Sequence, residues 1–244
     1  MKSKKSIFVF LLFLIPSISY AQFHYKNSET LLITFQTSQH IIEQFVPQPL
    51  VANKDGIMNL EIVVQKIDFG SEYVYNEMIL SIPVEYNGIE SVFHILLYLN
   101  KFNPITTGRE IWGFPKHYAE IKIEKEGQYI SATISQGSRN IITLNAQLGE
   151  SIDDAASIDH KVWFVHKQIP SIEKGEMDVD ELNAVFINDF KAYNTKNIEA
   201  DLKINSIPNE DIGTIPVLKI IESIYFESDF ILGSGETLVN FKEN

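Results

Sequence analysis

The chain holds 244 residues, 45% of them hydrophobic, with a formal net charge of −12. That size and apolar content suit one domain with a substantial core. The acidity excludes nucleic acid and anionic membrane surfaces as natural partners, since both would repel it. The lack of cysteine excludes disulfides and a lipid-bearing cysteine, so an exported form would rely on core packing or subunit contacts.

Lys2, Lys4 and Lys5 precede an apolar run from Ile7 to Ile15, and Ser19-Tyr20-Ala21 ends in small-residue cleavage chemistry. The pattern predicts a secretory signal peptide over residues 1–21 and a protein exported to the periplasm or secreted. The run is too short to span a bilayer, so no membrane contact is expected after cleavage. The mature domain would be residues 22–244, more acidic by the loss of three lysines.

Thr30 to Phe35 reads as a strand. Thr37 or Ser38 can cap a short helix with Ile41, Ile42, Phe45 and Val46 at helical spacing, stopped by Pro47 and Pro49. Met58 to Val64 and Tyr73 to Val84 read as strands, with Asn87-Gly88 as a hairpin signal. Ser91 to Leu99 is nearly all apolar, a strand buried on both faces that leads through Asn100 and Pro104 to GREIWGFPKH, Gly108 to His117. From Glu120 onward apolar and polar residues alternate, with turns at Glu126-Gly127 and Gly137, which predicts an antiparallel meander with one wet face. Trp163 to Ile169 and Ala184 to Phe190 supply further strands, whereas Val217 to Phe226 fits helix or strand equally. Gly233 to Glu236, GSGE, reads as a loop because no helix follows it. The fold expectation is a single mainly β domain with a few short helices (α+β), arranged as a closed or conical antiparallel β-barrel.

The chemistry-bearing stretch is GREIWGFPKH. Pro115 stiffens the backbone before Lys116, and Ile111, Trp112 and Phe114 are apolar enough to line a dry pocket around its amine. Desolvation disfavours an ammonium, and a neutral lysine amine is a nucleophile towards ketones. His94 and His166 lie in apolar strands and read as core residues, and no metal site is expected.

GREIWGFPKH resembles the active-site segment of the acetoacetate decarboxylase family, G-R-E-x-x-x-Y/F-P-K-K, in which the lysine after the proline forms a Schiff base. TSQHIIEQFVPQPL is similar to the family's helix leading into V-P-E-P-L, and YVYNEMILSIPVEYNG to its Y-x-E-x(5)-P-V-x-F-N-G. FVHKQIP, Ile215-Pro216-Val217 and Ser228-Asp229-Phe230 follow in the family's order. The resemblance implies Lys116 as the nucleophile, with Glu77 and Glu61 as the two acids facing it. It places His117 where the family has a second lysine, so that residue would act on the amine more weakly and with more pH dependence. Ser28 stands in Asn27-Ser28-Glu29 where the family has an arginine, and Gln36 replaces a second one. Serine lacks arginine's bidentate hold on a carboxylate, which weakens the case for acetoacetate itself without naming another substrate. Phe114, Trp112, Ser28 and Arg109 are the substrate-binding candidates, with Arg109 also expected to pair with nearby acids as a structural cation.

The resemblance implies a lyase that needs no cofactor, acts on a small-molecule keto acid and assembles as a homo-oligomer. Its reaction would be decarboxylation of a β-keto acid, acetoacetate or a relative. The alternatives are an aldolase or dehydratase reaction on a 2-oxo acid, and a secreted barrel that binds a ligand without turning it over.

Overall fold

The computed structural model describes residues 22–152, 161–205 and 215–243. The expected signal peptide, residues 1–21, lies outside the described residues. In chain order the elements are β1 (Phe23–Gln36), α1 (Gln39–Phe45), β2 (Val51–Ala52), β3 (Ile57–Asp68), β4 (Glu72–Tyr86), β5 (Ile89–Leu99), α2 (Phe102–Ile111), β6 (Lys116–Tyr118), β7 (Glu120–Glu126), β8 (Tyr129–Gln136), β9 (Arg139–Ser151), β10 (Val162–Pro170), β11 (Met177–Ile204) and β12 (Lys219–Asn240).

The strands form one mainly β structure in the order β10-β5-β4-β3-β1-β12-β11-β9-β8-β7, and β10 also pairs with β11. That second pairing closes β10, β5, β4, β3, β1, β12 and β11 into a ring, while β9, β8 and β7 continue from β11 as the expected meander. The ring is not wholly antiparallel. It closes through a parallel pairing of Trp163 and Phe164 with Val92 and Phe93, and β6 also runs parallel to β5.

Alternation along the ring strands builds two cores. Leu31, Ile33, Met58, Leu60, Met78 and Leu80 point outward and pack with Ile121, Ile134 and Leu144 of the meander. On the opposite face Tyr25, Val63, Tyr75, Ile79 and Leu97 pack inside the ring with Trp112, Phe114 and Phe230. Asn87 and Gly88 turn the β4–β5 hairpin with both φ values positive, 51° and 80°, as a two-residue turn of that type requires. Ser38 stands at the N-cap of α1 without a side-chain capping bond, so its backbone carbonyl alone receives Ile41 and Ile42.

Three local expectations change. Phe102 to Ile111 is a helix, α2, with Pro104 in the first turn where its missing N–H costs nothing. Val217 to Phe226 resolves as the approach to and first half of β12. Gly233 to Glu236 is not a loop but lies inside β12. Its glycines admit the neighbouring strand: a Cβ on Gly235 would lie 2.4 Å from the Ala184 carbonyl oxygen.

Candidate active site

The end of α2 determines where Lys116 goes. The Gly108 carbonyl accepts backbone N–H bonds from Trp112 (3.3 Å), Gly113 (3.1 Å) and Phe114 (3.2 Å). Gly113 takes the left-handed conformation, φ 91°, that ends helices, and Pro115 prevents their resumption. Lys167 of β10 donates to the carbonyls of Glu110 (2.7 Å) and Ile111 (3.3 Å), a cation on the negative end of the helix. The chain then extends into β6, with Lys116 beside Leu97 of β5 and its side chain turned into the ring.

Lys116 is buried, and its Nζ lies 3.1 Å from Oε1 of the equally buried Glu77. The other carboxylate oxygen of Glu77 accepts from Gln65 Nε2 at 3.2 Å. Nζ also stands 5.3 Å from the centre of the Phe114 ring. Gly108 is the floor over which the lysine passes: a Cβ there would fall 2.7 Å from Lys116 Cδ and 2.8 Å from Cε. Arg109 donates to the Lys116 carbonyl at 3.2 Å, so it holds the backbone of the nucleophile candidate; its described bond is to that carbonyl and not to an acid.

Two cavities meet the ring interior. The outer one, about 400 Å³, is lined by Lys116, Gly108, Trp112, Phe23, Tyr25, Phe69 and Tyr73 among others. The inner one, about 50 Å³, takes side chains from all seven ring strands, including Ser28, Glu61, Gln65, Trp163, Phe226 and Ser228. The Lys116–Glu77–Gln65 chain of contacts runs from the outer cavity to the inner one.

Burial, reinforced by the charge of Glu77, pushes the Glu61 carboxyl up to about 7. Its side chain counts as only partly buried by area because it lines the inner cavity. Tyr25 and Tyr75 bring their hydroxyls to 3.3 Å in the same interior, and burial raises both phenols above their ordinary range.

The structure thus brings Lys116, Glu77, Phe114 and Trp112 together, and sets Glu61 and Ser28 in the adjoining chamber. Trp112 is buried and donates to the Gly233 carbonyl at 2.8 Å, which explains its orientation and the value of an open backbone at that point of β12. Three residues expected at the site stand elsewhere. His117 alternates to the opposite side of β6 from Lys116 and is exposed, its ring 6.3 Å from that of Tyr98. Ile111 is 46% exposed and does not line the lysine's cavity. Gln36 lies at the far end of β1, donating to the Asp55 carbonyl, away from both cavities. His94 packs edge-on between Phe114 and Trp163, and His166 bonds Asp180 at 2.7 Å. Sequence reasoning missed Gln65 and the Tyr25–Tyr75 pair. Period-two spacing from Glu61 to Gln65 on β3, and from Glu77 back to Tyr75 on β4, was the available signal.

The family profile described as acetoacetate decarboxylase (ADC) matches residues 14–240. Acetoacetate decarboxylase 3 of Mesorhizobium japonicum is 29% identical over 236 residues, spanning 93% of this chain and 88% of its own. The acetoacetate decarboxylase of Burkholderia mallei is 27% identical over 231 residues, 93% of this chain and 92% of its own. Among solved structures, the acetoacetate decarboxylase of Legionella pneumophila superposes with a TM-score of 0.83 at 21% identity, covering 91% of this chain and 89% of that one. The enduracididine biosynthesis enzyme MppR, complexed with pyruvate, does so with a TM-score of 0.79 at 14% identity, covering 92% and 93%. At these identities the structural likenesses establish the fold.

Proposed function

This chain belongs to the acetoacetate decarboxylase family, a family of carbon–carbon lyases, and we propose that it decarboxylates a β-keto acid through a Schiff base on Lys116. The observation that carries the reading is the buried amine of Lys116, 3.1 Å from the Glu77 carboxylate, facing a cavity open to a small molecule.

In this reading Glu77 takes a proton from Nζ and frees the amine to attack the substrate's ketone carbon. Loss of water gives an iminium. The bond to the carboxylate carbon then breaks, its electron pair moves towards the iminium nitrogen, and carbon dioxide leaves. The resulting enamine is protonated on carbon, and water returns the ketone product and the free lysine. Gln65 keeps Glu77 aimed at Nζ, and Glu61, pushed up to about 7, gains and loses its proton in the ring interior around neutral pH. Arg109 and Gly108 act as positioning residues, one on the lysine's carbonyl and the other under its methylene chain.

One observation favours a second reading. Ser28 is fully buried where the resemblance expects an arginine, and its hydroxyl already accepts from the Lys66 backbone N–H at 3.4 Å. A site without that cation suits an aldolase or dehydratase reaction on a 2-oxo acid, and the pyruvate complex of MppR shares this fold. Carbon dioxide release separates the two. The protein should release it from acetoacetate, and Lys116→Ala should not; an aldehyde-dependent loss of pyruvate without carbon dioxide would establish the second reading. We also propose export after cleavage before Gln22, and a homo-oligomer. N-terminal sequencing of the protein recovered from cells and its solution mass test these two points.

A further inference from the structure

Lys116 faces far more room than a molecule as small as acetoacetate can fill. The outer cavity's 400 Å³ would hold about a dozen water-sized groups at about 30 Å³ each. It falls in the range of cavities that take whole drug-sized ligands. Its wall is aromatic and apolar over most of its extent: Phe23, Phe69, Tyr73, Trp112, Ile67 and Leu232. Those rings are mutually braced. Phe23 meets Phe69 edge-on at 5.7 Å and Trp112 at 5.5 Å, and Phe69 lies 6.2 Å from Tyr73.

Phe69 itself is 59% exposed, on the short turn between β3 and β4. A large apolar ring at the rim of a cavity is poorly used in water and well used against an apolar ligand. Tyr25, Asn103 and Thr107 add polar groups beside Lys116, but most of the wall's surface is apolar, so it supplies area more than hydrogen bonds. By contrast the inner chamber, at about 50 Å³, admits only a group of very few atoms.

From this contrast we infer that the substrate is a keto acid whose carbonyl carries a bulky apolar substituent, of the size of a phenyl ring, seated in the outer cavity against Phe23, Phe69 and Trp112. The inference rests on Lys116 being the carbonyl-reactive group. Burying a ring there would favour such a substrate over acetoacetate by at least about tenfold in kcat/KM, since even one methylene in an apolar pocket discriminates by that order.

The test uses the full mature protein with 3-oxo-3-phenylpropanoate and acetoacetate in parallel. The expected result is a kcat/KM ratio of at least about ten in favour of the phenyl compound, falling by about tenfold in Phe69→Ala, whose exposed position makes misfolding a minor concern. A ratio of one or less in the wild-type protein, with acetoacetate turned over at Lys116, overturns the inference and leaves the lysine reading standing. Should neither compound react at Lys116, titration of tryptophan fluorescence with 3-phenylpropanoate and with butanoate still decides the matter, because Trp112 lines the cavity. Tighter binding of the phenyl acid by about tenfold, weakened in Phe69→Ala, supports the aromatic seat. Equal affinity for the two acids overturns it.

Discussion

The same strands present two faces of opposite character. On β3 and β4 the outward residues, Met58, Leu60, Ile62, Met78 and Leu80, are apolar and fully buried against the meander. The inward residues of those strands include Glu77, which meets Lys116, Gln65, which bonds Glu77, and Glu61 in the adjoining chamber, within an interior otherwise lined by aromatic and aliphatic side chains. Burial of charge is costly unless it is paired, and a paired charge still stabilises less than a well-packed apolar group. The outward face therefore accounts for holding the fold together, and the inward face is where stability is exchanged for reactive groups held in position.

Substitutions on each face should separate these two roles. The largest effect expected is on the inward face: Lys116→Ala should abolish turnover. Glu77→Gln keeps the shape but removes the charge 3.1 Å from Nζ, and should slow turnover by about 10²–10³-fold, measured as kcat. Gly108→Ala should cost about 10–100-fold in kcat by pushing the lysine's methylenes off their path, with little change in Tm because alanine favours a helix. Comparable losses of Tm in that variant would break the distinction between the faces.

On the outward face Leu60→Ala should destabilise by about 2–5 kcal/mol in denaturant unfolding, with kcat retained at low temperature. Glu61→Gln should alter the pH dependence of stability. With its carboxyl at about 7 in the folded protein and near the ordinary 4.5 when unfolded, Glu61 binds a proton more tightly in the fold. Its contribution is complete below pH 4.5 and is lost as the pH rises through 7. The amide variant should lack that decline, worth about 1–3 kcal/mol, when Tm is followed from pH 4.5 to 8.

The outward face was the legible one. Alternation located β3, β4 and the meander, and Asn87-Gly88 marked its hairpin, because a core face repeats its signal every second residue. The helix α2 was hidden: its ten residues include Pro104, Gly108 and two threonines, and only Gly108 is buried, so no apolar stripe marks it. The strand character of GSGE was masked for a related reason, since its glycines serve a close approach that only the fold reveals. In the site, the resemblance supplied Lys116 and both acids, whereas the separation of Glu61 and Ser28 into an inner chamber depends on how seven strands close. Adjacency in sequence misled at His117, which strand alternation carries away from Lys116.

The Lys116 mechanism requires a covalent imine on the amine, and borohydride trapping reads that bond. The protein is incubated with acetoacetate, and separately with pyruvate, reduced, and mapped by mass spectrometry. The expected result is a reduced acetone adduct on Lys116 from acetoacetate, which would record imine formation and decarboxylation together. Absence of any adduct on Lys116 with either compound, in protein that remains folded, would contradict it and favour a quite different substrate or a barrel that binds its ligand without turning it over.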